Sequence, residues 1–400
     1  MAGIYIHIPF CESRCIYCGF YSTTSLSRRD TYVEALCHEM ALRPLFSSLE
    51  AGETIRTIYL GGGTPSQLSI EQLKRIFDAL LDYYGQAFPN PHSWEDMEIT
   101  MECNPDDLTE EYCNSLELLP INRVSMGAQT FSDARLQFLH RRHRSQDVEQ
   151  AILRLRNIGI HNISIDLMFG FPNESTKDWA EDLQKAISLK VEHISAYSLM
   201  YEEGTRLYKL LETRQVTEID EEESLDMYKM LMNTLTEAGY EHYEISNFCL
   251  PGYQSRHNSS YWQEVPYIGL GAAAHSYKRM KAKKSESDGK RVMTVTRSWN
   301  VANIQEYISS IQEGKLPSDH ETLDLDTRYN DLITTALRTS AGVSIKKLEE
   351  EFGERYVYRF QKEAKEKISR GLMRQEGNHI SLTPSGLYIS DDIMSDFMIV

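Results

Sequence analysis

The chain has 400 residues, 41% of them hydrophobic, 25% charged and 10% aromatic, with a formal net charge of −17. Such a composition belongs to a folded protein of two or three domains and excludes a disordered chain or a disulfide-stapled miniprotein. The acidic surplus repels polyphosphates and anionic lipid surfaces, so no nucleic-acid partner is expected.

The N-terminus, MAGIYIHIPFCESRC, has neither a basic n-region nor a long apolar stretch, and no later segment approaches about 18 unbroken apolar residues. A cytoplasmic location is expected. Residues 1–215 then read as repeated strand-then-helix units. Short apolar runs predict strands at Gly3 to Ile8, Ile55 to Leu60, Glu98 to Glu102, Arg123 to Met126, Asn162 to Met168 and His193 to Leu199. Helical spacing fills the gaps at Tyr32 to Leu49, Ile70 to Tyr84, Ala134 to Leu139, Asp147 to Asn157 and Thr176 to Ser188, with Ser69 and Ser175 as N-caps. Six β/α alternations predict an α/β fold, a partial (β/α)6 barrel whose working face lies at the C-terminal ends of its strands.

Residues 216–320 read as a connecting α+β region: one helix from Glu221 to Ala238, then Gly- and aromatic-rich turns. A run from Lys278 to Arg291 follows, with seven basic residues, and reads as a solvated loop. Residues 321–400 carry helical stretches at Thr327 to Leu337, Ser344 to Phe352 and Tyr356 to Arg370. A two-stranded ribbon through Gly371–Met373 and His379–Leu382 completes a winged-helix-like module. Its helices are about as rich in Glu as in Lys, which favours a structural or docking role over DNA binding.

Three of the seven cysteines, Cys11, Cys15 and Cys18, crowd into eight positions directly after the first strand, and the other four are scattered. A secreted disulfide framework has no such pattern. Three thiolates on one βα loop can hold three corners of a cubane iron–sulfur cluster and leave the fourth iron open to a ligand. The alternatives are unconnected thiols, or a zinc site that still needs a fourth donor such as His7 or Cys37.

This CxxxCxxC spacing after the first strand resembles the radical S-adenosylmethionine (SAM) superfamily, in which the open iron of a [4Fe-4S] cluster chelates the methionine end of SAM. The resemblance extends to Tyr17, which would lie beside the adenine, and to Gly61-Gly62-Gly63-Thr64-Pro65 after the second strand, which would meet the methionine amino group. It assigns Tyr5, Glu102, Gln129, Arg141 and Asp166 to the same cofactor. Carboxylates and an amide suit ribose hydroxyls and an ammonium, and a guanidinium suits a carboxylate. Glu102, Gln129, Arg141 and Asp166, each taken alone, read equally well as solvated caps or salt-bridge partners.

Within the superfamily the chain is most similar to the oxygen-independent coproporphyrinogen III oxidase group, through Tyr5 to Cys11, Gly127 to Phe131, Asp166 to Pro172, His193 to Leu199 and Glu202 to Thr205. Oxidases of that group carry a further cysteine two positions after the third ligand and a long N-terminal extension. Here Phe20 stands at that position and ten residues precede Cys11. Both departures resemble the sister family, the HemW-type heme chaperones. That family implies heme as a ligand, an acceptor protein such as a membrane hemoprotein, and association of copies when the cluster is present. Its HNxxYW heme motif is matched by His257, Asn258, Tyr261 and Trp262. From the residues alone this segment is a packing cluster or a heme platform. His275 belongs to the same signature, which gives it no role. The expected function is a heme chaperone carrying a [4Fe-4S] cluster with exchangeable SAM, and the alternative is radical decarboxylation of porphyrinogen propionates.

Overall fold

Seven parallel strands form the centre of the molecule: β1 (Ala2–Ile8), β2 (Ile55–Gly62), β3 (Glu98–Cys103), β4 (Arg123–Gln129), β5 (Asn162–Phe169), β6 (His193–Ser198) and, after β7 (Glu241–Glu244) and β8 (Asn247–Cys249), β9 (Tyr267–Leu270). The computed structural model describes residues 1–43, 53–280 and 293–400. With β10 (His275–Met280), β11 (Thr294–Asn300) and β12 (Ser318–Thr322), these strands make one twelve-stranded sheet, ordered β12-β11-β10-β9-β1-β2-β3-β4-β5-β6-β8-β7. The first six strands fall where the apolar runs predict them, lengthened by one to three residues or, in β6, ended one residue earlier.

Period-two alternation explains the arrangement. Ile4, Ile6 and Ile8 of β1, Ile99 and Met101 of β3, Val124, Met126 and Ala128 of β4, and Ile163, Ile165 and Leu167 of β5 are buried within the main hydrophobic core. Their alternating neighbours, Tyr59, Glu102, Arg123, Ser125, Asp166 and Ser195, line an internal cavity instead. The covering helices include Ile70–Tyr84 and Thr176–Ser188, which begin at the predicted caps with reciprocal side-chain–backbone bonds from Ser69/Gln72 and Ser175/Asp178. The helix expected to reach Leu49 spans Arg29–Leu42, and residues 44–49 lie outside the described part.

The reading of 216–320 as helix and turns needs correction. Beyond the helix Glu221–Glu237 it contributes six strands, β7 to β12, that extend the sheet at both ends. β7 and β12 end the sheet; β12 (SDHET) is exposed throughout and β10 is half-buried at most, while the buried β8 (NFC) and β9 (YIGL) are only three and four residues long. Such strands lack the apolar run that announces a central one. Lys278 and Arg279, assigned to a solvated loop, lie in β10, and the rest of that basic run, 281–291, falls outside the described residues.

The C-terminal region has its own core, around Tyr329, Leu332, Phe352, Phe360 and Phe397. Helices Leu325–Leu337, Ile345–Phe352 and Glu354–Ser369 surround a three-stranded antiparallel sheet, β13 (Val343–Ser344), β15 (His379–Leu382) and β14 (Met373–Glu376), in that order. The two-residue β13 and the helix Ser390–Phe397 carry too little pattern to be read from sequence. This region is fastened to the sheet by Ile245 N–H donating to Arg338 O at 2.9 Å, by Lys347 on Glu264 and by Glu351 on Arg279. Among the described residues, no helix is long and apolar enough to cross a membrane.

Candidate cofactor site at the barrel mouth

The C-terminal strand ends and their loops enclose a cavity of about 570 Å³. Cys11, Cys15 and Cys18 line its mouth, on a loop between β1 and the helix Arg29–Leu42. That loop is held at its root by Thr23 N–H on Pro9 O (2.7 Å) and Cys11 N–H on Thr23 O (3.0 Å), and at its middle by Ile16 N–H on Leu139 O (3.2 Å). All three thiols are free and partly exposed. Thr64 Oγ1 donates to Cys11 Sγ at 3.5 Å, and Arg141 Nη1 to Cys15 Sγ at 3.6 Å. Burial pushes the Cys11 and Cys18 thiols up, a shift that a bound cation reverses. Among the described residues no three His, Cys, Asp or Glu side chains are gathered to hold a single metal ion. The three thiols around an open mouth, with hydrogen-bond donors aimed at two of the sulfurs, fit a larger cluster with one uncommitted corner.

The glycine loop after β2 is shaped by close approach. Gly62 has φ +107°, and a Cβ there would sit 2.4 Å from the His7 ring; one on Gly63 would sit 2.8 Å from the Ile8 carbonyl oxygen. Gly63 N–H donates to that carbonyl at 2.9 Å, so the loop backbone lies against β1 and turns its other side to the cavity. Glu102 accepts from Tyr59 OH at 2.7 Å and from Gly62 N–H at 3.1 Å, and burial pushes its carboxyl up to about 7. Asp166 accepts from Ser125 Oγ at 3.4 Å and is also raised by burial. Gln129, buried and at φ +66°, follows an irregularity in the β4–β5 register. Arg141 donates from Nη2 to Asn104 Oδ1 (2.8 Å) and Gly127 O (2.6 Å), and its buried Nε has no protein partner.

The structure therefore gathers Cys11, Cys15, Cys18, Tyr17, Gly62, Gly63, Thr64, Glu102, Gln129, Arg141 and Asp166 around one space. Tyr5 is not in its lining; the Tyr5 hydroxyl pairs with His7 Nδ1 at 3.0 Å. Of the HNxxYW residues only Asn258 reaches the cavity, from its floor. His257 is wholly buried on the helix Arg256–Trp262, near the N-terminal ends of the strands. Its Nδ1 lies 2.9 Å from Thr57 Oγ1, its Nε2 2.8 Å from Tyr261 OH, and its ring stacks 5.1 Å from that of Tyr59. Glu98 accepts from the backbone N–H groups of Arg256 and His257. Trp262 packs under Arg338 of the C-terminal region at 5.3 Å. In this conformation the histidine has no nitrogen to offer an iron. His275 is exposed, beside Trp299 at 6.2 Å.

Sequence reasoning missed Asn104, Arg123, Ser125, Ser195 and Tyr197 in the same lining, and the exposed Phe20 and Met200 at the mouth. The alternation Arg123-x-Ser125-x-Gly127-x-Gln129 is the signal that places the β4 residues on one face.

Comparison with known proteins agrees with this geometry. The sequence model of the Radical SAM superfamily matches residues 5–186, and that of the HemN C-terminal domain matches 323–389. A heme chaperone HemW of Bacillus subtilis (strain 168) is 34% identical over 100% of this chain and 99% of its own length. The HemW of Lactococcus lactis is 31% identical over 99% and 97%. Among solved structures, the Escherichia coli coproporphyrinogen III oxidase HemN, described as a radical SAM enzyme, superposes with a TM-score of 0.78 at 21% identity, covering 99% of this chain and 89% of that one.

Proposed function

The chain belongs to the HemW family of the radical SAM superfamily, and from that premise we propose that it is a heme chaperone: it binds heme as cargo and passes it to an acceptor protein. The carrying observation is the joint one of three open thiols and a polar cavity beneath them, on a chain with full-length HemW kinship. Cys11, Cys15 and Cys18 would hold a [4Fe-4S] cluster, and that cluster supplies an electron and a free coordination position. Glu102, Gln129 and Asp166 accept hydroxyl and ammonium hydrogens of an exchangeable SAM, Arg141 faces its carboxylate, and Tyr17 offers an aromatic face. Phe20 and Met200, 71% and 62% exposed, give the mouth an apolar rim of the kind a planar macrocycle covers, beside the guanidinium of Arg14.

Anaerobically reconstituted protein tests this reading in two titrations. Heme should bind at one per chain with a defined absorption spectrum and leave on addition of an apo-hemoprotein. Coproporphyrinogen III with SAM and reductant should not be turned over repeatedly; sustained formation of protoporphyrinogen would overturn the chaperone reading in favour of the oxidase.

A further inference from the structure

Arg123 opens β4 and is 1% exposed, yet it lines the same cavity as Glu102 and Asp166, and its Nε and Nη1 have no hydrogen-bond partner among the described residues. A guanidinium does not give up its proton on burial, so a fixed positive charge stands in the barrel lumen and requires negative charge nearby. The register places Glu98 two residues below Arg123, engaged by the backbone N–H groups of Arg256 and His257, and two further carboxylates above it. Thr100 pairs with Arg123, Glu102 with Ser125 and Gly127 with Asp166, so Arg123 lies two residues deeper than Glu102 and four deeper than Asp166. From below, its charge acts on both carboxyls and lowers each of them against the rise that burial imposes.

Among the other groups around the two carboxylates Arg141 is a second cation, and it lowers the Asp166 carboxyl less than Arg123 does. Tyr59 of β2, Tyr5 of β1, Tyr267 of β9, Tyr261 of the helix Arg256–Trp262, and Tyr197 and Tyr243 of β6 and β7 are all raised by burial and stay neutral. Cys103 of β3 and Cys249 of β8 are raised likewise. The buried imidazoles flanking Arg123 are held neutral, His257 lowered to about 3 and His193 well below its ordinary value, in both cases first by desolvation and then by Arg123 itself. Arg141 is tied to Cys15, Asn104 and the Gly127 carbonyl on the cluster side.

We propose that Arg123 is a positioning residue for the cofactor site, a counter-charge beneath Glu102 and Asp166 that keeps both available as acceptors for the ribose hydroxyls. The inference rests on the reading of the cavity as a SAM site. Without the guanidinium two adjacent buried carboxylates repel one another, one takes up a proton, and an acceptor is lost.

Equilibrium dialysis of SAM against cluster-loaded native protein, R123M and R123K, between about pH 6 and 9, tests it. Native affinity should weaken below about pH 7. R123M should bind about tenfold more weakly at pH 7, recover towards pH 9, and show a midpoint about one unit higher, one unit being a tenfold change in protonation. R123K keeps the charge, so its midpoint should stay within a few tenths of native. A folded, cluster-replete R123M with the native affinity and midpoint overturns the role of Arg123. Absence of SAM binding by the native protein at every pH overturns the underlying site reading instead. If R123M does not fold, E102Q/R123M compared with E102Q decides: with one carboxylate already neutral, an affinity and pH midpoint equal to those of E102Q support the counter-charge role, and a further tenfold loss refutes it.

Discussion

Replacing His257 separates a packing role from an iron-binding one. The imidazole has no exposed surface, spans Thr57 Oγ1 and Tyr261 OH at 2.9 and 2.8 Å, and stacks on Tyr59. In H257A each stranded buried hydroxyl costs about 1–3 kcal/mol, and the lost ring contact adds roughly 0.5–1.5 kcal/mol. A total of about 2.5–7.5 kcal/mol is a large share of the roughly 5–15 kcal/mol that holds a domain together. H257Q can donate to one hydroxyl and accept from the other, so its loss should be about 1–2 kcal/mol. Urea unfolding and heme titration, run on both variants, read the two roles apart. H257Q is expected to keep the one-per-chain heme spectrum, and H257A to lose it only in proportion to unfolding. An H257Q protein as stable as native but without a heme spectrum would refute this account and show that the helix Arg256–Trp262 leaves the barrel floor to present the histidine.

Gly62→Ala places a methyl group 2.4 Å from the His7 ring at φ +107°. The strain alone is about 1–3 kcal/mol, and SAM binding measured by dialysis should fall at least tenfold while cluster absorbance persists. Arg141→Lys removes the fork that reaches Asn104 and Gly127 together. SAM affinity should drop about tenfold or more, corresponding to about 1.4 kcal/mol, and native affinity in R141K would show that the fork is idle. Glu102 offers a pH test with a definite sign. Its folded carboxyl is raised to about 7, so the native state holds the proton more tightly, and stability is lost as pH climbs from the ordinary carboxylate range through 7. Thermal unfolding of E102Q should therefore fall less between about pH 5 and 8 than that of the native protein, by no more than about 3 kcal/mol. Glu174, raised to a similar value by burial despite Arg135, contributes the same slope to both proteins and cancels in the difference.

The parallel sheet was legible because each central strand carries an unbroken outward apolar set, and the cluster loop because three cysteines in eight positions have few other uses. The edge strands were not. A strand such as β12, exposed on both faces, is indistinguishable from a polar loop until its partner β11 is known. The depth of His257 was hidden for a related reason. A seven-residue helix reveals its own register but not that Glu98, Thr57 and Tyr59, some 160 to 200 residues earlier, form the pocket it enters. Arg123 lay open to the period-two argument and was passed over because it stands at the start of its strand, away from the face where loops gather.

The polar groups cluster where the sheet ceases to be regular. Gly62, Gln129 and His140 all have positive φ, and the β4–β5 register slips between Gly127 and Gln129. For Gln129 and His140 such a backbone costs about 1–3 kcal/mol each and survives only if the surroundings fix it. Here they do: Thr130 and Phe131 are anchored on Asp182, and the Arg141 backbone N–H is bonded to Leu136 O at 2.9 Å. The regular, apolar-backed part of each strand thus supplies rigidity, and the irregular ends turn Gln129 and Arg141 towards the space above Glu102 and Asp166. The cavity lining sets the carboxylates of Glu102, Asp106, Asp166 and Glu202 against the guanidiniums of Arg14, Arg123, Arg141 and Arg142, and it is close to charge-balanced only while all of them are ionised. Affinity for a zwitterionic cofactor should therefore respond more to removal of any one of these charges than to loss of any single hydrogen bond nearby.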